Sequence, residues 1–227
     1  MTQIEFHAVE IESDIKIILQ EISTYRSKTE LNKKNEDKFD RWVVQLNSIL
    51  DQISTSEQNI IPLISKDLGF PFKNKNLFFT AMLQPSLKNT FDEIKIHFRK
   101  EPESIISKKK LDELSACSDT GKSLAWIGDT VIKYALLLKI WQPGITPEEL
   151  HNRRQSLETN VNLSILCDRW KLFEYRIHLD PPYPKQATID KTKGTLVEAI
   201  YGVLYIEKEI DGVQEALPLI DATEYLK

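Results

Sequence analysis

Two apolar segments of the chain each hold a carboxylate where an acid is unfavourable. "SLAWIGDTVIKYALLLKIW" (residues 123–141) contains Asp129, and "TKGTLVEAIYGVLYIEKE" (192–209) contains Glu198 within its apolar part. A buried carboxylate without a partner costs several kcal/mol, so each acid should be protonated, paired with a base, or bound to a cation. The two acids are therefore the first candidates for chemistry in this sequence.

A glycine lies close to each of these acids. Gly128 precedes Asp129, and Gly202 follows Glu198 by one helical turn. Glycine inside a helix costs about 1 kcal/mol relative to alanine, so its presence suggests that two backbones approach closely there. If the two helices cross at their glycines, Asp129 and Glu198 repel each other, and a divalent cation would relieve the repulsion.

Ion pairing with lysine is the alternative for both acids. Lys133 lies one turn after Asp129, and Lys193 precedes Glu198. Pairs of this kind are common on helices and contribute little stability. Magnesium, by contrast, binds one or two carboxylates together with water and phosphate oxygens, and such a site suits phosphodiester hydrolysis. Residue spacing alone leaves both interpretations open.

The elements that must position these acids are predicted to be helical throughout. Apolar residues recur at helical spacing, and no alternation of strands and helices is visible, so the sequence predicts an all-α fold. Residues 8–26 and 37–54 predict an N-terminal helical hairpin. Further helices are predicted near 74–84 and at 123–141, 147–156, 160–170, 192–208 and 211–220. Trp126, Trp141 and Trp170 fall on apolar faces and are expected in the core.

The predicted organisation is a hairpin extension over residues 1–58 and a main domain over 59–227. Within the latter, the polar, lysine-rich stretch 88–122 is expected to be a partly helical insertion or a mobile loop. The net charge is −4, but the first 60 residues hold 7 basic and 11 acidic side chains, so the remainder is electrically balanced. Binding of a polyanion by a local patch is therefore compatible with the composition.

Targeting signals are not visible in the sequence. The first twenty residues are acidic and lack the apolar run of a signal peptide. Lys133 and Lys139 interrupt the most apolar segment, which is shorter than the roughly 20 apolar residues of a membrane span. We expect a cytoplasmic protein with no membrane partner.

Four blocks of the chain, in the same order, resemble the ribonuclease III family. The segment "LAWIGDTVI" resembles the family signature LEFLGDAVL, and "TLVEAIYGVLYIE" resembles the later block DVFEALIGAIYLD. The other two are "LGFPFKNKNLFFTAMLQPS" (68–86) and "LHNRRQSLETNVNL" (150–163), the latter similar to LTxxRAxLVSxxxL. The resemblance implies the ribonuclease III endonuclease-domain fold, cleavage of double-stranded RNA with Mg²⁺ (or Mn²⁺ as a substitute), and a homodimer. No double-stranded-RNA-binding domain is recognised.

The chain departs from the family in half of the acidic site. Asp129 and Glu198 match the second acid of each signature pair, whereas Ala125 and Thr195 replace the first acid. The mini-ribonuclease III branch is similar in this respect: it also has Ala and Thr at these positions, lacks a double-stranded-RNA-binding domain, and cleaves ribosomal RNA precursors. An inactive copy of the fold would show the same losses.

By resemblance, Asp129 and Glu198 would be both metal ligands and catalytic residues. Thr195 lies on the same helix face as Glu198 and would hold a water, or it would simply bond to its own helix. Positive charge near the site is needed for RNA contact. The candidates for that role are His151, Arg153, Arg154, Lys191, Lys193 and Lys133. For each of them a solvated, ion-paired or structural role is the alternative.

The sequence therefore predicts a metal-dependent endoribonuclease acting on double-stranded RNA, such as a ribosomal RNA precursor. The alternative is a catalytically inactive ribonuclease III fold that serves as an RNA-binding, ribosomal or assembly module. The resemblance places the dimer surface on the apolar helix 123–141 and on "FPFKNKNLFF". The N-terminal hairpin would extend that surface, cap the RNA-binding valley, or bind a protein partner.

Overall fold

The computed structural model describes Phe6 and residues 9–180 and 186–220, and its regular elements within these residues are all helical. The predicted all-α class is confirmed. The helices are α1 (Ile11–Lys28), α2 (Lys33–Leu68), α3 (Lys75–Met82), α4 (Ser86–His97), α5 (Lys108–Ile140), α6 (Pro147–Leu157), α7 (Asn160–Arg169), α8 (Gln186–Ala216) and a final 3₁₀ turn (Leu217–Ile220). One isolated parallel bridge joins Leu83 to Ile177.

Helices α1 and α2 form the predicted hairpin. An ion pair between Arg26 and Asp40 joins the two helices across their short connector, and Asn32 caps the start of α2. Helix α1 buries its stripe of isoleucines, Ile11, Ile15, Ile18 and Ile22. Lys110 at the start of α5 pairs with the buried Asp14 of α1. The hairpin is thus packed against the helix that contains Asp129.

Helix α2 is longer than the apolar pattern predicted. It continues to Leu68 because Ile60, Ile61 and Ile64 extend the buried stripe, while Pro62 faces solvent. The proposed boundary between residues 58 and 59 lies inside this helix.

Most of the polar stretch 88–122 is helical. It contains the greater part of α4 and the first half of α5, which begins at Lys108 rather than near residue 123. Leu111, Leu114 and Cys117 are buried along this part of α5. The helix with the first acid is therefore anchored for several turns before it reaches the site.

Helices α5 and α8 make the most extensive contact in the described residues, and they cross at the two glycines. A methyl group at Gly128 would overlap the carbonyl oxygen of Glu198, and one at Gly202 would overlap the carbonyl oxygen of Leu124. The backbones touch at both points, as the positions of the glycines predicted.

The prediction that all three tryptophans are core residues is wrong for two of them. Trp170 is fully buried, but Trp126 and Trp141 are 76% and 63% exposed. They lie on a face of α5 that the described part of the chain leaves uncovered, because α8 covers the opposite face. No helix among the described residues has the length and apolarity that a membrane crossing needs.

The segment "FPFKNKNLFF" is also not available as a dimer surface. Phe72, Leu77, Phe78 and Phe79 are buried, and the rings of Phe72 and Phe78 contact each other with centroids 5.0 Å apart. Helix α3 packs these side chains against α5 and α8. Of the two predicted dimer surfaces, only the exposed face of α5 is left.

Helix α6 is stabilised by a capping box at its start and buries none of its residues. Thr146 and Glu149 form the capping box. It makes its contacts with α5. Residues 151–153 are therefore presented on the surface beside the helix crossing.

The backbone contact at the crossing predicts the effect of adding a methyl group. Gly128→Ala or Gly202→Ala should reduce the free energy of unfolding by about 3 kcal/mol or more, because a backbone carbonyl cannot give way as a side chain can. Gly194→Ala on α8 is the matched control, since its methyl would meet only ordinary contacts. It should stay within about 1 kcal/mol of wild type or be more stable. Urea unfolding measures all three, and equal stability of all three variants would contradict the close crossing.

Candidate active site

The crossing brings Asp129 and Glu198 close enough for their charges to interact. Burial, followed by repulsion from Asp129, raises the pKa of Glu198 to about 7, and Lys133 only partly offsets this. A carboxylate with such a pKa is only partly ionised at neutral pH. A nearby cation would therefore stabilise the ionised form of Glu198.

Lysine pairing, the alternative considered for both acids, is present for one of them. Lys133 Nζ lies 2.7 Å from Oδ2 of Asp129. Lys193 instead pairs with Asp168 of α7, with a Nζ–Oδ1 distance of 2.7 Å. The two acids are therefore not each neutralised by a lysine of their own.

Glu198 opens onto a cleft of about 590 Å³ between the start of α7 and the first half of α8. Thr195 lies one turn before Glu198 in the same cleft. Its hydroxyl donates a hydrogen bond of 3.0 Å to the carbonyl of Lys191. Thr195 thus bonds to its own helix, and its oxygen keeps acceptor capacity for a water or a substrate group. The remaining residues that line the cleft are Asn160, Asp190, Lys191 and Gly194.

A third acid, Glu158, belongs to the same electrostatic cluster. Burial raises its pKa, Arg154 and Lys133 lower it, and Asp129 raises it further. Its Oε1 lies 3.4 Å from Nη1 of Arg154, while its Oε2 is buried and has no hydrogen-bond partner in the described ranges 9–180 and 186–220. Sequence reasoning did not single out Glu158. The available signal was a glutamate where the similar family block has valine.

The predicted RNA-binding residues divide into exposed and ion-paired groups. His151, Arg153 and Lys191 are solvent-exposed. Arg154 is paired with Glu158, Lys193 with Asp168, and Lys133 with Asp129. A phosphate contact by any of the second group would require an ion pair to open.

The two carboxylates fit a magnesium site with a small number of protein ligands. Within the described residues no group of three or more His, Cys, Asp or Glu side chains is placed to hold a metal together. Magnesium needs fewer protein ligands than that, since it often binds through one or two carboxylates and completes its shell with water and phosphate oxygens. The mutual repulsion of Asp129 and Glu198 is the observation that favours a cation between them.

The family model described as the ribonuclease III domain matches residues 122–209, a range that includes both acids and all of α6 and α7. The chain contains a ribonuclease III domain. This confirms the family predicted from the sequence. A comparison with curated proteins found no match to the chain. Members of the ribonuclease III family act on double-stranded RNA, generally depend on divalent metals, and typically dimerise.

Positions 125 and 195, where the ribonuclease III signature has acids, differ in their surroundings. Ala125 is 4% exposed and packs in the apolar core. Thr195 is half-buried and lines the cleft beside Glu198. A carboxylate at position 125 would therefore need a partner inside the core, whereas one at position 195 would border the cleft.

The raised pKa of Glu198 predicts how stability depends on pH. Its folded-state value of about 7 lies above the ordinary 4.5, so the folded state binds more protons between these values and loses stability as the pH rises through that interval. Without divalent ions, Glu198→Gln should be about 1–2 kcal/mol more stable than wild type at pH 8, after discounting for partial exposure.

That advantage should disappear as the pH falls towards 4.5, where wild-type Glu198 is protonated. Thermal unfolding across this range in the presence of a chelator measures the difference. Glu215→Gln, which removes an exposed acid from the part of α8 beyond the non-helical residue Glu209, is the matched control and should follow wild type. A constant difference between Glu198→Gln and wild type would contradict the assignment.

Proposed function

We propose that the protein is a magnesium-dependent endoribonuclease that hydrolyses phosphodiester bonds in double-stranded RNA, with ribosomal RNA precursors or other structured RNA as substrates. The supporting observation is that Asp129 interacts with Glu198, which no lysine of the described residues neutralises directly, and that Glu198 lines an open cleft. The ribonuclease III domain supplies the reaction class.

Asp129 and Glu198 would hold the ion in this proposal. When bound, magnesium would activate water and neutralise negative charge on the attacked phosphate. Glu198 would have to be ionised to hold the ion. Thr195, whose oxygen can still accept a hydrogen bond, would orient a water in the cleft.

The RNA backbone would follow the exposed basic residues beside the cleft. Arg153 and His151 lie on α6, and Lys191 lies at the mouth of the cleft on α8. Double-stranded RNA is bound largely through its phosphates and 2′-hydroxyls rather than its bases. Binding of this kind requires only local positive charge, which is compatible with the acidic composition of the whole chain.

The exposed face of α5 would form the homodimer contact. Trp126, Tyr134, Leu138 and Trp141 share this face and are all more than 45% exposed. Several large exposed apolar and aromatic side chains on one side of a helix are typical of an interaction surface. Because Asp129 lies on the same helix, dimerisation through this face would place two sites close together, one for each RNA strand.

The N-terminal extension of residues 1–58, whose second helix continues without a break into the domain of residues 59–227, would bind a protein partner. Val44 of α2 is 68% exposed and Ile17 of α1 is also exposed, so the hairpin presents apolar groups outside the core. These groups support a protein partner for the hairpin.

A non-catalytic RNA-binding or assembly role on the same fold is the second candidate. It is favoured by Ala125 and Thr195, which replace two of the acids of the family signature, and by the lysine already bound to Asp129. The two candidate functions can be distinguished by experiment, because only the endoribonuclease cleaves the RNA that it binds.

The nuclease proposal predicts cleavage of long duplex RNA in Mg²⁺ by wild type. Asp129→Asn and Glu198→Gln should each reduce the rate by more than roughly 100-fold, since loss of even an outer-shell partner of a metal site typically costs 10–100-fold. Asp119→Asn is the matched control on α5, because Asp119 is an exposed acid paired with Lys88 and Lys122. It should cleave at the wild-type rate.

Gel analysis of end-labelled duplex RNA measures these rates. RNA binding by wild type without cleavage in either Mg²⁺ or Mn²⁺ would reject the enzyme and favour the second candidate.

If Arg153 and Lys191 contact RNA phosphates, replacing them should change how the affinity for RNA depends on salt concentration. The double variant Arg153→Gln, Lys191→Gln should bind duplex RNA more weakly, and the slope of log K against log salt should fall by about 2, one for each lost phosphate contact. Lys33→Gln, Lys34→Gln removes the same charge from exposed positions on the hairpin and should leave the slope unchanged. Fluorescence anisotropy in chelator-containing buffer measures both, and equal slopes for the two double variants would place the RNA elsewhere.

A further inference from the structure

Lys133 is a single ammonium that interacts with three carboxylates. It donates to Oδ2 of Asp129 at 2.7 Å, and its charge lowers the pKa of both Glu198 and Glu158. Its side chain is 39% exposed, so it is not fixed by packing. Lys133 is therefore bonded to Asp129 and close enough to the other two acids for its charge to act on them.

Glu158 offers a second position for this ammonium. Its side chain is only 15% exposed, and its buried Oε2 has no hydrogen-bond partner among the residues that the structure describes. A buried carboxylate oxygen without a donor is costly, and a charged donor delivered to it would be strongly stabilised. Arg154 compensates the other oxygen at 3.4 Å and leaves Oε2 unsatisfied.

A divalent cation and Lys133 compete for Asp129. An ion held by Asp129 and Glu198 would share Asp129 with the ammonium, and like charges a few ångströms apart repel strongly in a partly buried site. The cation can therefore bind well only when Lys133 leaves Asp129. Within the described part of the chain, Glu158 is the acid of this cluster that has a buried oxygen without a donor.

We infer that Lys133 controls metal loading: it is the counter-ion of Asp129 in the metal-free protein and moves to Glu158 when a divalent cation binds Asp129 and Glu198. This inference rests on the metal-binding part of the proposed function and not on RNA cleavage. Lys133 and Glu158 act as positioning residues, since neither is a ligand of the ion.

Mn²⁺ binding to the full chain tests the first half of the inference. At pH 8, Lys133→Met should bind Mn²⁺ about tenfold more tightly than wild type, because the competing charge is gone. Lys139→Met removes an exposed lysine from the same helix, about 9 Å further along its axis, and should bind like wild type. Titration calorimetry or the spin-resonance signal of free Mn²⁺ measures the affinity, and damage to the fold cannot produce a gain. Equal or weaker binding by Lys133→Met overturns the inference.

A double-mutant cycle tests the move to Glu158. Glu158→Gln, which keeps an acceptor for Arg154, should weaken Mn²⁺ binding about threefold to tenfold in the wild-type background, because the displaced ammonium loses its partner. In the Lys133→Met background the same change should have no effect. An equal loss in both backgrounds would show that Glu158 acts on the ion directly and would overturn the move.

The two proposals fail in different ways. If wild type binds Mn²⁺ with the expected response to Lys133→Met but does not cleave RNA, the nuclease is rejected and the counter-ion role stands. If wild type cleaves RNA while Lys133→Met leaves Mn²⁺ affinity unchanged, the nuclease stands and the counter-ion role is rejected.

Discussion

The direct contact between the backbones of α5 and α8 is the constraint on which the site depends. Carbonyl oxygens of Glu198 and Leu124 occupy the space that methyl groups at Gly128 and Gly202 would need. Because this approach fixes the two helices at one register, the acid next to Gly128 and the acid one turn before Gly202 must face a common region. Their repulsion is a direct consequence of how the chain packs.

The charges around this crossing are incompletely balanced. Lys133 compensates Asp129 and Arg154 compensates one oxygen of Glu158, but among the residues that the structure describes no base is bonded to Glu198. A protein selected for stability alone would replace such an acid with an apolar residue of similar size. A site with unbalanced, partly buried carboxylates is instead typical of places where a ligand completes the structure.

The rest of the fold keeps this unfavourable arrangement in place. Helix α5 is anchored by α1 through Asp14 and Lys110, and by α4 through ion pairs of Lys95 with Asp112 and Lys88 with Asp119. Helix α1 also buries its stripe of isoleucines. Apolar burial several turns away therefore offsets the electrostatic cost at the site. The exposed face of α5 takes no part in this packing and is available to bind another molecule.

The sequence by itself determined the helical class, the close approach at the glycines and the two central acids, because helical periodicity and the cost of glycine or an unpaired acid are local properties. Only the tertiary structure decided which partners these acids have. Lys193 pairs with Asp168 of another helix, and Glu158 joins the cluster from α6. Trp126 is exposed although its helix is apolar on nearly every side. An apolar pattern shows that a face can be covered, but which face is covered depends on where the other helices pack.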